Sequence, residues 1–190
     1  MKTASQLNVV VTVHCEVGDE ILKLQKEFIS SEKTTPVYHA LSRPSYVEAE
    51  SVKQVIEIAK KTNCKVYIVH TSAKESVELI EQAQKTGQKV YSETCPQYLF
   101  LDDSVYNKQA PDSLKYVISP PIRKTEDQNK LWEAIQNNTI KVIATDHCPF
   151  NLKGQKEIGK NDFTKIPNGA GGIEHRLELL YTYGVLKNKI

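Results

Sequence analysis

The sequence has 190 residues, of which 39% are hydrophobic and 25% charged, as is typical of a globular domain with one hydrophobic core. Its formal net charge of +2, without any long basic run, argues against nucleic acid as a partner. No apolar stretch approaches the roughly 20 residues that a membrane span needs, and Met1 is not followed by the apolar segment of a signal peptide. The four cysteines are far apart in the sequence, which predicts reduced thiols in a cytoplasmic protein.

Three short apolar runs each end on a side chain that can bind a metal or move a proton. Residues 9–13 precede His14, residues 66–69 precede His70, and residues 142–145 precede Asp146. Nearly continuous β-branched runs of this length predict strands buried on both faces, as in a parallel sheet. Two further strands are predicted at residues 89–93 and 116–119.

Helices are predicted between these strands. One covers residues 19–30, and three more begin at a Ser or Thr that is followed three positions later by Glu or Gln, the pattern of a capping box. The three pairs are Ser45 with Glu48, Ser72 with Glu75, and Thr125 with Gln128. Residues 151–172 are rich in Lys, Gly and Asn, and they predict a long loop that is either functional or disordered.

The alternation of strands and helices predicts βα units around a parallel sheet, and therefore an α/β fold. About four such units are present, whereas a closed eight-stranded barrel needs ~200–250 residues. We therefore expect part of a TIM-like barrel with flanking helices; a compact open α/β sheet is the alternative. Because catalytic groups of such barrels lie at the carboxyl ends of the strands, His14, His70 and Asp146 are predicted to meet in one pocket. A lone histidine at a strand end is more often structural, but three such endings favour a metal site.

Nine short segments, in order along the chain, carry a family resemblance. They are residues 14–19, 42–44, 48–50, 69–72, 93–99, 115–117, 119–123, 145–151 and 166–169. Together they resemble the dihydropyrimidinase and hydantoinase family of cyclic amidohydrolases. The resemblance covers nearly the whole chain, from about Val13 to Val185, and the segments Cys95-Pro96-Gln97-Tyr98 and Pro167-Asn168-Gly169 favour the dihydropyrimidinase branch.

The resemblance implies a TIM-like barrel with a binuclear zinc centre, which opens a dihydropyrimidine or hydantoin ring to an N-carbamoyl amino acid through a zinc-bound hydroxide. His14 and His70 match the histidine ligands of the more exposed zinc. Asp146 matches the ligand of the other zinc that also works as general base and acid, a role suited to a carboxylate. Ser119 and Asn168 match positions whose backbone groups bind the ring amides of the small cyclic substrate. The full-length parent is expected to be a homo-oligomer, a tetramer in the family.

Several family ligands have no counterpart in this chain. The family's His-x-His pair, its bridging carboxylated Lys and a substrate-binding Tyr are not found, and Val17 stands where the family usually has Asn. The resemblance therefore implies that residues 1–190 are a fragment with about strands five to eight of the barrel, without the amino-terminal half-barrel and the β-sandwich domain. Such a fragment is expected to be inactive by itself.

Two other functions remain open from the sequence. A non-catalytic dihydropyrimidinase-related scaffold protein would share the fold without its metal ligands, and the presence of all three candidate ligands argues against it. An allantoinase or a dihydroorotase is the second alternative. Arg43 and Arg123 are predicted to form structural ion pairs, with a place at the rim of the active site as the alternative. His147 is predicted either to support a metal ligand from behind or to be structural, and His39 and His175 are predicted not to be ligands.

Overall fold

The computed structural model describes residues 1–190 and contains one four-stranded parallel sheet. Its strands are β1 (Val10–Val13), β2 (Lys65–Ile68), β3 (Val90–Thr94) and β4 (Val142–Ile143). They lie side by side in chain order, with Val11 opposite Val66, Val66 opposite Val90, and Glu93 opposite Val142. Four of the five predicted strands and the parallel α/β architecture are thereby confirmed.

Helices form the connections between the strands. The α-helices are α1 (Lys2–Gln6), α2 (Gly18–Ser30), α3 (Val37–Leu41), α4 (Ser45–Thr62), α5 (Lys74–Lys85), α6 (Pro96–Phe100), α7 (Thr125–Gln136) and α8 (Arg176–Leu180). Short 3-10 turns lie at Asp103–Asn107, Asp112–Tyr116, Lys156–Gly159 and Phe163–Lys165, and a π-helical turn lies at Tyr181–Val185. None of these helices combines the length and the apolar character needed to cross a membrane.

The connecting helices α4 and α5 pack on one face of the sheet. Val66 and Ile68 of β2 and Val90 of β3 are buried there together with Ile56 of α4 and Ile80 of α5. Full burial of a side chain of this size contributes about 1.5–3 kcal/mol. This helical layer therefore holds the strands against each other and places their carboxyl ends at one edge of the fold.

The opposite face of the sheet is open. It carries Val10 of β1, Tyr91 of β3 and Val142 of β4, which are 45%, 41% and 42% exposed. The prediction that the apolar strands are buried on both faces is therefore wrong for β1 and β4, because no second layer of these 190 residues covers them. Both strands are also the edges of the sheet.

The strand predicted at residues 116–119 does not form. A 3-10 turn ends at Tyr116. The carbonyl groups that follow it accept hydrogen bonds from side chains and from a loop, not from a neighbouring strand. Val117 O accepts from Gly169 N at 3.1 Å and from Lys156 Nζ at 2.8 Å, while Ile118 O accepts from His39 Nε2 at 2.7 Å. The two prolines that follow have no N–H to donate to a strand ladder, which ends any pairing here.

The predicted capping boxes do not form at α4 and α5. These helices begin at Ser45 and Lys74. Their N-cap residues are Pro44 and Ala73, and neither side chain accepts a hydrogen bond from the first turn of its helix. Glu48 instead accepts hydrogen bonds from the backbone N of Ser72 at 3.1 Å and of Ala73 at 3.0 Å. Its carboxylate thus serves the free N–H groups at the start of α5, a helix distant in sequence from its own.

At α7 the capping acceptor is one residue earlier than predicted. Lys124 N donates to Asp127 Oδ2 at 3.2 Å, so Asp127 takes the role expected of Gln128. The other carboxylate oxygen, Oδ1, accepts from Lys74 N at 2.8 Å. Asp127 therefore joins the beginnings of α5 and α7.

The long loop at residues 151–172 is ordered, so the alternative that it is disordered is wrong. It contains two of the 3-10 turns, and its Phe163 and Ile166 are buried against Leu114 and Val117. This apolar cluster anchors the loop close to the carboxyl edge of the sheet. Of the two predicted alternatives, a functional loop is the one that remains.

Candidate metal centre

Two histidines meet at the carboxyl ends of β1 and β2. His14 directly follows β1, and His70 comes one residue after Val69, whose backbone N donates to Val13 O at 3.2 Å. His14 Nδ1 and His70 Nε2 lie 3.0 Å apart, and the two rings meet edge to face at an interplanar angle of 67°. The parallel register of the strands thus converts two distant positions in the sequence into one pair of facing nitrogens.

The facing nitrogens have the chemistry of a metal site. A neutral imidazole offers one nitrogen with a free lone pair, and such nitrogens bind zinc at about 2.0–2.1 Å. Two of them at 3.0 Å fit a shared zinc ion. No group of three or more His, Cys, Asp or Glu side chains in the chain is arranged to hold a metal, so the pair supplies two ligands and no more.

The surroundings of His70 keep its imidazole neutral. Burial is the main cause that lowers the pKa of His70, and the neighbouring His14 lowers it further, while Asp146 raises it. The His70 backbone N donates to Glu93 Oε1 at 3.4 Å, and the His70 Nδ1 atom is buried without a hydrogen-bond partner. A neutral ring is the form that binds a metal, so the environment favours ligation over protonation.

His14 is held by a buried ion pair. Its Nε2 lies 3.0 Å from Glu16 Oε2, and the same oxygen accepts from Arg43 Nη1 at 2.5 Å. The Glu16 and Arg43 side chains are only 2% and 15% exposed. The predicted ion-pair role of Arg43 is confirmed, and its partner is the carboxylate that contacts a candidate ligand.

A second buried ion pair lies behind the turn that follows His70. Arg123 Nη2 contacts Glu48 Oε2 at 3.2 Å, and Arg123 Nε donates to Ser72 Oγ at 3.0 Å, which confirms the predicted role of Arg123. Burial raises the pKa of Glu48, but the Arg123 guanidinium and the hydrogen bonds from Ser72 outweigh it and leave the pKa below its usual value. Glu48 is thus an ionised, fully paired carboxylate in the interior.

Asp146 lies at the same edge of the sheet but in a different setting. It follows the two-residue strand β4, has a positive φ of 47° and is exposed. The segment is tied down by Ala144 N, which donates to Thr94 O at 2.9 Å, and by Gln97 Nε2, which donates to Thr145 O at 3.2 Å. Asp146 acts on the pKa of His70, but it forms no three-ligand group with the two histidines, and its role as a metal ligand and proton carrier stays a prediction.

The two predicted substrate-binding residues contact each other. Ser119 Oγ donates to Asn168 Oδ1 at 3.0 Å, although the residues are 49 positions apart. Next to Asn168, Gly169 has a φ of 153°, and a Cβ atom there would lie 2.3 Å from Cys148 O. Only glycine allows this approach, which brings the loop carrying Asn168 against the segment that follows Asp146.

A buried lysine joins the same two segments. Lys156 Nζ donates to Val117 O at 2.8 Å and to Pro167 O at 3.0 Å, and burial lowers its pKa to about 8. Lys156 thereby fixes the spacing between the chain near Ser119 and the chain near Asn168.

Three functional residues were missed at the level of sequence. They are Glu16, Glu93 and Lys156. Glu16 had a usable signal, because it lies two positions after His14 and carboxylates often hold the outer nitrogen of a metal-bound histidine. His147, predicted to be structural, accepts at Nδ1 from Gly172 N at 3.1 Å and so stabilises the return of the loop.

Comparisons with known proteins identify what this arrangement resembles. The D-hydantoinase of Geobacillus stearothermophilus is 42% identical over 187 residues, which are 98% of this chain and 40% of the relative. The D-hydantoinase of Ralstonia pickettii is 40% identical over 181 residues, or 95% of this chain and 39% of the relative. The chain resembles part of a D-hydantoinase. No protein-family model matches it.

Solved structures agree with these relatives. The dihydropyrimidinase of Brevibacillus agri NCHU1002 superposes with a TM-score of 0.98 at 42% identity, covering 100% of this chain and 41% of that structure. The L-hydantoinase of Arthrobacter aurescens superposes with a TM-score of 0.90 at 31% identity, again over 100% of this chain and 41% of that structure. The resemblance to hydantoinases and dihydropyrimidinases, which are cyclic amidohydrolases, is confirmed over about two fifths of their length.

Proposed function

We propose that this chain forms the second half of the catalytic barrel, strands five to eight, of a hydantoinase or dihydropyrimidinase. The observation that carries the proposal is the pair of nitrogens, His14 Nδ1 and His70 Nε2, that face each other at 3.0 Å where two parallel strands end. The similarity to D-hydantoinases over 98% of the chain supports the same assignment. The substrate class is a small cyclic amide, either a hydantoin or a dihydropyrimidine.

In this proposal each residue has one task. His14 and His70 hold one zinc ion, and Asp146 is a ligand of the second. Bound zinc supplies an electrophile for the ring carbonyl and lowers the pKa of water, which an unactivated amide needs. The backbone groups of Ser119 and Asn168 hold the ring amides, so that the scissile carbonyl is directed toward the metal edge.

Asp146 performs the proton transfer. One carboxylate oxygen accepts the proton of the attacking water as the C–O bond forms. The same oxygen then donates that proton to the ring nitrogen while the C–N bond breaks, which yields the N-carbamoyl amino acid. Its exposed position beyond the carboxyl end of β4 suits this role, since the carboxylate must reach both water and substrate.

The 190-residue chain alone is expected to lack turnover. Catalytic zinc normally has three protein ligands, and this chain gathers two. In the proposal, the remaining ligands and the cover for the open face come from the part of the barrel that the relatives have outside the matched region. Absence of hydantoin or dihydrouracil hydrolysis by the isolated chain, with zinc and bicarbonate added, is the expected result.

The proposal is tested by grafting. The 187 matched residues of the Geobacillus stearothermophilus D-hydantoinase are replaced by this chain, and the chimera is assayed for hydantoin and dihydrouracil opening and for zinc content. We expect zinc-dependent ring opening that Asp146→Asn abolishes while much of the zinc remains. Replacing the exposed His175 by Gln is the control and should leave turnover unchanged.

The scaffold alternative makes the opposite prediction for the same chimera. A folded chimera that binds zinc but opens neither ring would contradict the proposed catalytic function. Near-normal turnover in the Asp146→Asn chimera would contradict the role given to Asp146. Circular dichroism of each chimera separates loss of function from failure to fold.

A further inference from the structure

Glu16 is a buried carboxylate with an unusual set of contacts. Its side chain is 2% exposed, yet Oε1 has no hydrogen-bond partner and Oε2 serves both His14 Nε2, at 3.0 Å, and Arg43 Nη1, at 2.5 Å. Burying a carboxylate is costly unless a positive partner compensates it, and Arg43 is that partner. Because burial of this carboxylate is costly, packing alone does not explain why Glu16 is buried beside His14.

The contact fixes the proton on the His14 ring. The Glu16 oxygen that faces His14 also accepts a hydrogen bond from Arg43 Nη1, so it is an acceptor, and the ring nitrogen that faces it, Nε2, carries the hydrogen. In the neutral imidazole this leaves Nδ1 with its lone pair free. Nδ1 is the atom that lies 3.0 Å from His70 Nε2, so in the metal-free chain it accepts a hydrogen bond from His70 Nε2–H, and its lone pair is directed into the space between the two histidines.

Arg43 connects this carboxylate to the support of the second histidine. Its backbone O accepts from Arg123 Nη1 at 2.5 Å, and Arg123 is paired with Glu48. Glu48 in turn accepts from Ser72 N, two residues beyond His70, at 3.1 Å. One continuous set of buried charges therefore reaches from the ring of His14 to the turn that carries His70.

We propose that Glu16 is a positioning residue that holds His14 in the Nε2–H form with Nδ1 directed at the metal site. The proposal rests on the proposed function, because Nδ1 is the atom assigned to zinc there. Carboxylates that hold the outer nitrogen of a metal-bound histidine orient the ring and increase its basicity. Glu16 does this for His14, and the Arg43 guanidinium holds the Glu16 carboxylate in place.

The first part of the test uses the metal-free chain. Nitrogen-15 NMR of labelled histidine is recorded at about pH 8.5, where an ordinary imidazole is neutral. In the wild-type chain we expect a single His14 tautomer with a proton on Nε2 that exchanges slowly with water. Glu16→Leu should lose the slow exchange and populate both tautomers, whereas Glu16→Gln keeps an amide oxygen as acceptor and should change less.

The second part measures zinc affinity by competition with a chromophoric chelator. Glu16→Leu should weaken zinc binding about 10–100-fold, the usual cost of removing such a partner, and Glu16→Gln should weaken it less. Glu50→Gln removes a half-exposed carboxylate from α4 and should leave the affinity unchanged. Thermal unfolding of each variant reports whether the fold is kept.

The outcomes separate this proposal from the one on which it rests. A wild-type His14 that carries its proton on Nδ1, or a folded Glu16→Leu chain with wild-type zinc affinity and slow Nε2–H exchange, would overturn the role of Glu16. If the chimera with the Geobacillus stearothermophilus D-hydantoinase binds no zinc, the proposed function fails instead, and the tautomer measurement still decides the role of Glu16. Should Glu16→Leu not fold, Glu16→Gln gives the graded loss that decides the same question.

Discussion

The histidine end and the aspartate end of the sheet differ in how they are held. At the ends of β1 and β2, His14 and the turn after His70 rest on the buried ion pairs Glu16–Arg43 and Glu48–Arg123. At the end of β4, a strand of only two residues, Asp146 is exposed and the segment is fixed by hydrogen bonds to Thr94 and from Gln97. Both regions carry proposed metal ligands at one edge, but only the first is preorganised by buried charge.

This contrast teaches how one site can combine rigid and accessible groups. A pair of metal ligands must keep its geometry against the cost of ordering, and buried ion pairs provide that. A carboxylate that moves protons between water and substrate needs access, and the exposed position of Asp146 beyond the carboxyl end of β4 provides it. The difference predicts that breaking the ion pairs behind the histidines costs stability, whereas substitution of Asp146 costs function alone.

The largest effect is expected from Glu48. Glu48→Ala leaves Arg123 buried without its partner and should destabilise the chain by about 3–5 kcal/mol, measured by urea unfolding. Glu50→Ala on the same helix removes a half-exposed carboxylate and should change the unfolding free energy by less than about 0.5 kcal/mol. Equal effects of the two variants would show that the buried pair does not stabilise the histidine end.

An intermediate effect on stability is expected from His39, which is buried. Burial, followed by the charge of Arg43, lowers the pKa of His39 to about 3. The unfolded chain then binds a proton that the folded chain does not, so stability falls as the pH drops below about 6.5, by about 1.4 kcal/mol per unit. His39→Gln can still donate to Ile118 O and should remove the His39 part of this slope, while His70, whose pKa is also lowered by burial, keeps its own part.

The slope is best measured between about pH 6.5 and pH 5, where most carboxylates stay ionised. The matched control is His175→Gln, because the His175 side chain is 63% exposed. It should retain the wild-type dependence of the unfolding free energy on pH. A His39→Gln chain with the same slope as the wild type would contradict the buried, neutral state of His39.

The smallest effect on stability is expected from Asp146. Asp146→Asn should change the unfolding free energy by no more than about 0.5 kcal/mol, because the side chain is exposed and substitutions of this kind cost little. Urea unfolding of the wild-type and variant chains measures it. A loss of about 2 kcal/mol or more would mean that Asp146 is a structural residue, and the contrast between the two ends would disappear.

Much of the fold could be predicted because its signals are local. The apolar runs before His14, His70 and Asp146 mark the strands, and the strand ends give the edge at which the three residues lie. The strand predicted at 116–119 failed although its warning was also local, since Pro120 and Pro121 follow it directly. The burial of both sheet faces failed because it depends on a layer that these 190 residues do not provide.

The supports of the site could not be predicted because their partners are distant in sequence. Glu48 has the spacing of a capping box with Ser45, but its partners Ser72 and Arg123 lie 24 and 75 residues away. Lys156 lies in a loop whose composition gives no sign that the side chain is buried. Local patterns assign elements and strand ends, whereas the pairing of buried charges is decided by which elements meet.

The most direct test of the metal centre is anomalous diffraction from crystals of this chain grown with zinc. We expect an anomalous peak at the zinc edge within bonding distance, about 2.0–2.1 Å, of both His14 Nδ1 and His70 Nε2. The double variant His14→Gln, His70→Gln should lose that peak. Zinc found only at other histidines such as His147 or His175, with none between His14 and His70, would contradict the central claim that this pair is a metal site.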